Sequence, residues 1–501
     1  MFNGRNSGPL SLSTIEQKKG WGISTTEITE LTETEGKALK FLICEGGNFI
    51  LTCMKKFDVL VIGSGGGSKL VKPVSKKGLK VAVVEMHKFG GTCLNHGCIP
   101  SKMLIHVADV ATTIREAAKF QLKVSQDIEV DFEALVTRVS DTIDRESAAI
   151  TPVYEKDPHI TYYHGEARFV SEKIVRVMGE EITADKIFLA VGARPRIPPI
   201  PGLKGTPYMT YMEALRLKKQ PKKLIVIGGS YVALELGYFF AALGTETHFV
   251  VREKVLRYED EAVQEEFKAH FLYPLHLGWI PERVSYEGGE FTLTCNHGIL
   301  KGDALLVATG MKPWTDILGL EKTKIEVDEG GYVKVDEFLK TTQPGVWAFG
   351  DCIGRYFFRH SANFEGEYLF KTLFDAPQHE PLVYRPVPHA VFTRPQIAAV
   401  GPTEEELKAQ RIDYVVGQSP YTKSGMGMAL LADYGFVKLI FDRGSRELIA
   451  AHVIGEEASN MIHMLIAYMN KGGTVEDLRE MIYIHPALPE VVRSAARHAP
   501  F

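Results

Sequence analysis

Cysteine is scarce, long apolar runs are missing, and neither sign of charge prevails in this 501-residue chain. Six cysteines in so long a sequence exclude a disulfide-built scaffold. Four of them, Cys44, Cys53, Cys295 and Cys352, stand alone, where a thiol is usually a small packing hydrophobe. The longest apolar runs are strand-like pieces such as residues 81–84, far short of the roughly 20 residues a membrane-spanning helix needs. A net charge of -4 gives the whole molecule no attraction for nucleic acid or anionic lipid. With 45% apolar and 24% charged residues, the composition is that of a globular protein, long enough for about three or four domains. No export signal is recognisable, so the expected location is cytoplasmic.

What is present is organised around two similar units. Residues 1–53 carry Gly4, Gly8, Pro9 and a Thr/Glu-rich stretch over 25–35, and read as a poorly ordered extension ahead of a functional start at Met54. From Lys56 the pattern changes. Phe57-Asp58-Val59-Leu60-Val61-Ile62 is a buried-strand pattern running into Gly63-Ser64-Gly65-Gly66-Gly67-Ser68, and a second strand over 80–84 ends at Glu85. The arrangement repeats at Leu224-Ile225-Val226-Ile227, Gly228-Gly229-Ser230-Tyr231-Val232-Ala233 and a strand over 247–251. Two strand–glycine turn–helix–strand units predict an α/β protein with two Rossmann-like dinucleotide-binding domains. After about Pro386, alternating strands (437–441, 448–454) and an amphipathic helix over 459–470 predict a C-terminal α+β domain. The expected division is 1–53 extension, 54–204 and 336–386 for the two parts of a first nucleotide domain, 205–335 for the second, and 387–501 for the last.

A lone glycine fingerprint is a weak signal, but the first lies between a strand and a helix and meets Glu85 about 20 residues on. Gly63 permits the turn, Gly65 lets backbone approach a pyrophosphate, Ser68 is small enough for the third position, and Glu85 can accept from ribose hydroxyls. Pro73 falls inside the following helix and predicts that it is short or bent. In the second unit Gly228, Ser230 and Ala233 occupy the three positions, and Ser230 could crowd the pyrophosphate. Arg252 and Arg257 follow the next strand, where an acidic residue would favour NAD. Their guanidinium groups suit a 2′-phosphate, so NADPH is the expected donor and NADH the alternative. The competing readings are a solvated charge run, or a ribose contact through Glu253.

Between the units lies Gly90-Gly91-Thr92-Cys93-Leu94-Asn95-His96-Gly97-Cys98-Ile99-Pro100-Ser101-Lys102. Cys93, His96 and Cys98 could ligate zinc, but a structural zinc site wants four ligands and no second pair exists. The segment resembles the redox-active stretch of the class I pyridine nucleotide-disulfide oxidoreductases, the family of lipoamide dehydrogenase, glutathione reductase, mercuric reductase and mycothione reductase. Further landmarks extend the resemblance over 56–501: Ala190-Val191-Gly192-Ala193-Arg194-Pro195, Ala348-Phe349-Gly350-Asp351, Val391-Phe392-Thr393-Arg394-Pro395-Gln396-Ile397 and His485-Pro486-Ala487-Leu488-Pro489-Glu490.

The resemblance implies an enzyme acting on a sulfur group, in which NADPH reduces FAD and FAD reduces a Cys93–Cys98 disulfide. It implies that Cys98 lies against the flavin, that Cys93 meets the substrate, and that His485, oriented by Glu490, is the base, supplied by the partner in a homodimer. FAD would be held by Gly63, Gly65, Ser68, Glu85, Gly91, Thr92, Gly192 and Asp351, with Lys102 near the flavin and paired with Glu235. NADPH would lie on Gly228, Ser230, Ala233, Glu235, Arg252, Arg257 and Gly310. Cys352 reads as packing, and His96 as either a thiol-tuning group or a spacer. No metal, nucleic-acid or membrane partner is expected. The last eight residues hold no cysteine, which argues against mercuric reductase and the large thioredoxin reductases. Residues 356–363 and 484–490 are most similar to mycothione reductase. The alternatives are an NAD-linked dihydrolipoyl dehydrogenase, and a structural flavoprotein subunit of a larger complex.

Overall fold

A computed structural model of the chain describes residues 33–34, 37–43, 49–125, 127–376 and 380–501. Most of the expected N-terminal extension therefore lies outside the described residues. The part described includes strand Lys37–Ile43, antiparallel to the beginning of strand Phe49–Ile62, which runs unbroken through Met54.

Strand Phe49–Ile62 is the centre of the first sheet. Val81–Glu85 and Glu180–Leu189 flank it in parallel, and Ile160–His164 and Val346–Ala348 extend the parallel set outwards. Val59, Leu60 and Val61 are fully buried, which is why the run is apolar at every position rather than alternating. The helix after the first glycine turn, Ser68–Ser75, has only 8 residues, with Pro73 inside it; proline there removes a ladder N–H, and the helix is short.

The second parallel sheet has the order Leu275–Leu277, Glu246–Val251, Lys223–Ile227, Ala304–Val307. Its helix, Tyr231–Ala242, is apolar nearly all round and correspondingly buried, with Leu234, Leu236, Tyr238, Phe239 and Phe240 in the core. Helix Cys98–Glu116 packs across it through Leu104, Ile105, Ala108 and Ala111, at helical spacing, so the two nucleotide units share one helix–helix contact behind the cysteine pair.

The C-terminal domain is a five-stranded antiparallel sheet, in the order His389–Val391, Ile397–Val400, Leu448–Ile454, Phe436–Asp442, Tyr414–Pro420. Helices Ala458–Met469 and Glu490–His498 cover it. The architecture is the anticipated α/β one, with two dinucleotide-type sheets and an α+β end domain. Among the described residues no helix is long and apolar enough to cross a membrane.

A buried charge cluster ties the second nucleotide unit to the end domain. Lys438 Nζ donates to Asp260 Oδ1 at 2.8 Å and Oδ2 at 2.9 Å, and to Glu404 Oε2 at 2.6 Å. Asp260 also caps helix Glu261–His270 by accepting from the Ala262 N–H. The lysine and aspartate side chains are 4% and 0% exposed. At that burial the ions persist only because they satisfy one another. Lys438→Met is expected to strand two carboxylates and cost about 3–5 kcal/mol, read as a lowered urea midpoint; an unchanged midpoint would show the cluster to be energetically idle.

Candidate active site

The first glycine turn is shaped by close backbone approach. Gly63 has φ +100°, and a Cβ there would lie 2.2 Å from the Ala190 carbonyl oxygen. Gly67, which the fingerprint spacing passed over, is equally constrained: a Cβ would lie 2.1 Å from the Gly63 oxygen and 2.5 Å from Val61 Cγ1. The close helix-to-strand contact therefore falls on Gly67. Ser68 instead opens the helix, its hydroxyl donating to the Gly65 carbonyl at 2.8 Å. Glu85 is bonded from within the protein, accepting from Ser64 N at 2.9 Å, Ser64 Oγ at 2.7 Å and His87 N at 2.9 Å. A ribose hydroxyl would share a carboxylate that already orders the turn.

The thiol segment lies directly on this turn. Gly91 has φ +68°, and a Cβ on it would stand 2.4 Å from Gly65 Cα. Thr92 and Cys93 follow in the short helix Gly91–Asn95, and Cys98 is the first residue of helix Cys98–Glu116. Between them, a Cβ on Gly97 would lie 3.3 Å from Cys93 Cα. Both cysteines are free thiols here and share a hydrogen bond. That bond from Cys98, helped by the positive charge of Arg359 and Lys102 and opposed by burial, lowers Cys93 to about 7. The same bond and burial drive Cys98 far up, so the pair gives up one proton near neutrality and holds the second.

Lys102 Nζ donates to Glu235 Oε2 at 2.6 Å and stands 4.4 Å over the Phe392 ring. Glu235 Oε1 accepts from the Phe392 N–H at 3.0 Å. One ion pair thus links the thiol helix, the second dinucleotide helix and the end domain.

The sequence pattern described as pyridine nucleotide-disulphide oxidoreductase matches residues 57–366, well over half of the chain. The chain belongs to that family. The family's dimerisation domain matches residues 387–496. Mycothione reductase of Mycobacterium tuberculosis is 35% identical over 88% of this chain and 99% of its own length. Dihydrolipoyl dehydrogenase 1 of Arabidopsis thaliana mitochondria is 29% identical over 97% and 98%. Among solved structures, the copper(II) complex of the HOCl-induced flavoprotein disulfide reductase RclA from Escherichia coli superposes with a TM-score of 0.80, at 27% identity over 89% of this chain and 99% of that one. The protein is an FAD-dependent oxidoreductase acting on sulfur groups, with NAD(P)H as electron donor.

The cradle fits FAD as the family requires. Gly65 and Gly91 meet half-buried with no side chain between them, beside the turn from which helix Ser68–Ser75 starts. Asp351 lies in the turn Gly350–Ile353 after strand Val346–Ala348, its carboxyl pushed up to about 6 by burial and by Glu365. Cys352 faces away. Its thiol is fully buried, donates to the Leu189 and Phe349 carbonyls, and is raised to about 12 by burial. Gly192 has φ +67° and accepts from the Trp314 N–H, joining the two nucleotide units. His96 is held below its usual range by burial and by Arg216, and its Nδ1 is buried without a partner. Among the described residues no three His, Cys, Asp or Glu side chains are grouped to hold a metal.

In the second oxidoreductase turn, Gly228 has φ +144°, with the Ala308 carbonyl oxygen 2.4 Å from a would-be Cβ, and Gly229 packs on Val251. Ser230 opens helix Tyr231–Ala242 without a side-chain cap bond. Gly310 has φ +111° and open space around it. The loop 252–257 returns to this turn through the Leu256 N–H to Gly229 O bond. Arg252 is paired with Glu253 at 3.0 Å, and Arg257 stacks on Tyr258. Sequence spacing gave no hint of the group beside them, in which Glu259 accepts from Tyr231 at 2.7 Å and His389 at 2.8 Å. Only folding brings these residues together.

His485 Nδ1 donates to Glu490 Oε2 at 3.0 Å, and Glu490 also accepts from the Ala487 N–H and Arg493. Burial opposes ionisation of Glu490, but these bonds hold it below the usual carboxylate range. The imidazole is 77% exposed, beside the outward-facing Ile482 and Ile484.

A thiolate is the species that alkylates. Iodoacetamide should therefore modify Cys93 of the reduced protein with a rate that rises through pH about 7, and Cys98→Ala should move that midpoint upward by removing the donated hydrogen bond. An ordinary thiol midpoint in both proteins would count against the shared-proton pair.

Proposed function

We propose that the chain is an NADPH-driven reductase of a small disulfide, similar to mycothione reductase in substrate class. The observation that carries this is the Cys93–Cys98 pair, ionised near neutrality beside Lys102 and seated on the first glycine turn. In this reading residues 54–204 and 336–386 hold FAD, 205–335 hold NADPH, and 387–501 form the interface of a homodimer. Bound FAD supplies the two-electron link between the nicotinamide and the cysteine pair. Gly63, Gly65, Ser68, Gly91, Thr92, Gly192 and Asp351 hold it, and the Lys102–Glu235 pair keeps a positive charge beside the thiols.

The Cys93 thiolate attacks one sulfur of the substrate disulfide, forming a mixed disulfide and releasing the first thiolate. His485 of the partner subunit, oriented by Glu490, protonates it. The imidazole, neutral after that transfer, takes the Cys98 proton; the Cys98 thiolate attacks Cys93 Sγ, the Cys93–Cys98 disulfide closes, and the expelled second thiolate takes the proton back from the imidazole. The exposed imidazole with Ile482 and Ile484 has the makings of such an interface. Exposed apolar side chains on helix Cys98–Glu116, at Ile99, Val110 and Ile114, offer a matching face.

Arg252 and Arg257 beside the second turn support NADPH. A second reading, an NAD-linked dihydrolipoyl dehydrogenase, draws on the Glu253–Arg252 pair, which leaves a carboxylate near the ribose position.

Steady-state rates with NADPH and NADH against mycothione disulfide, glutathione disulfide and lipoamide separate the two. NADPH is expected to win on kcat/KM, and Arg252→Ala with Arg257→Ala to raise KM for NADPH about 10-fold or more while sparing NADH. Higher kcat/KM with NADH and lipoamide would install the second reading. Mixed dimers of Cys93→Ser and His485→Gln chains are expected to regain turnover that neither homodimer has, since one site then pairs an intact Cys93 with the partner's intact histidine. No recovery would place the base within one chain.

A further inference from the structure

Arg359 is a half-buried cation that, among the described residues, forms no ion pair with a carboxylate. It is the first residue of helix Arg359–Phe370, and its side chain runs back toward the first glycine turn. There Nη2 lies 3.4 Å from Ser68 Oγ, a residue 291 positions away, and Nη1 lies 3.7 Å from where a Cβ on Gly65 would stand. The Ser68 hydroxyl spends its proton on the Gly65 carbonyl, so its oxygen is the acceptor for the guanidinium. The same charge is felt by both Cys93 and Asp351, as its place beside the Gly65–Ser68 turn implies.

A guanidinium held half-buried without a carboxylate needs an anion, because its donors otherwise lose water without replacement. The ground beside it is already prepared for one. The Gly65 backbone is bare of side chain, and helix Ser68–Ser75 begins there with its first N–H groups folded back onto the carbonyls of residues 65–67, which leaves the guanidinium as the cation facing this ground. A diphosphate carries the charge and the paired oxygens that a guanidinium fork matches.

We propose that Arg359 is a ligand of FAD, contacting its diphosphate from the side opposite the glycine turn. The dinucleotide would then be clamped between backbone donors of residues 63–68 and a side chain from the second FAD segment. That closes the cradle with a charge supplied only after the chain has returned from the NAD(P)H unit. Lysine at this position could supply charge but not two parallel donors.

The test uses the full chain stripped of FAD, titrated with FAD and with ADP, which carries the diphosphate without the isoalloxazine ring. Arg359→Met is expected to weaken both ligands in parallel, by about 10- to 100-fold, with Arg359→Lys falling between it and the unmodified protein. The ADP affinity of the unmodified protein should also fall more steeply with salt than that of Arg359→Met. ADP binding unaffected by both substitutions would overturn the proposal, whether FAD binding falls or not, because the cation would then act on the ring or on the fold. Arg359→Lys, which keeps the charge and most of the length, carries the test if Arg359→Met does not fold.

Discussion

The contact between Gly65 and Gly91 is the constraint on which the site depends. Two backbone segments meet there with no room for a side chain, since a Cβ on Gly91 would come within 2.4 Å of Gly65 Cα. The approach lays the thiol segment on the first glycine turn and so fixes the spacing between turn and cysteines by backbone packing. Backbone packing is stiff compared with side-chain rotamers, and a relay between cofactor and thiols needs that fixity. Gly63 and Gly67 serve the same end one layer down, keeping the turn against strand and helix.

Charge is arranged around that contact by residues from distant parts of the chain. Lys102 belongs to the thiol helix, but its partner Glu235 belongs to the second dinucleotide helix, which in turn accepts from Phe392 of the end domain. Lys438, Asp260 and Glu404 form a second junction, between the second nucleotide unit and the end domain. Both junctions are partly or wholly withdrawn from water, where an ion pair is costly to break and therefore rigid. The Lys102 charge near Cys93 is thus a property of how the domains are joined, and it adds to the Cys98 hydrogen bond that chiefly lowers the thiol.

Much of this was legible in advance because it rests on local pattern. Glycine turns between apolar strands, a close cysteine pair, and a proline inside a helix each act within a few residues, and spacing alone exposes them. Spacing puts Ser68 at the third fingerprint position, whereas packing against Val61 makes Gly67 the residue with no room for a side chain, a distinction that a run of three glycines hides. Spacing marks Glu85 as a ribose acceptor but does not show that its carboxylate also accepts from Ser64 and His87 within the turn. Arg359 and the Glu259–Tyr231–His389 group gave no signal, because their partners lie far away in the chain.

By itself, the sequence determined the class of chemistry: two nucleotide units, a paired thiol centre and a dimerisation domain, each written in contiguous motifs whose physics is local. The tertiary structure alone decided which thiol of the pair ionises first, which cation stands over the glycine turn, and how Glu85 is spent. Those properties depend on charge and burial at distances of a few ångströms, between residues that only the folded chain brings together.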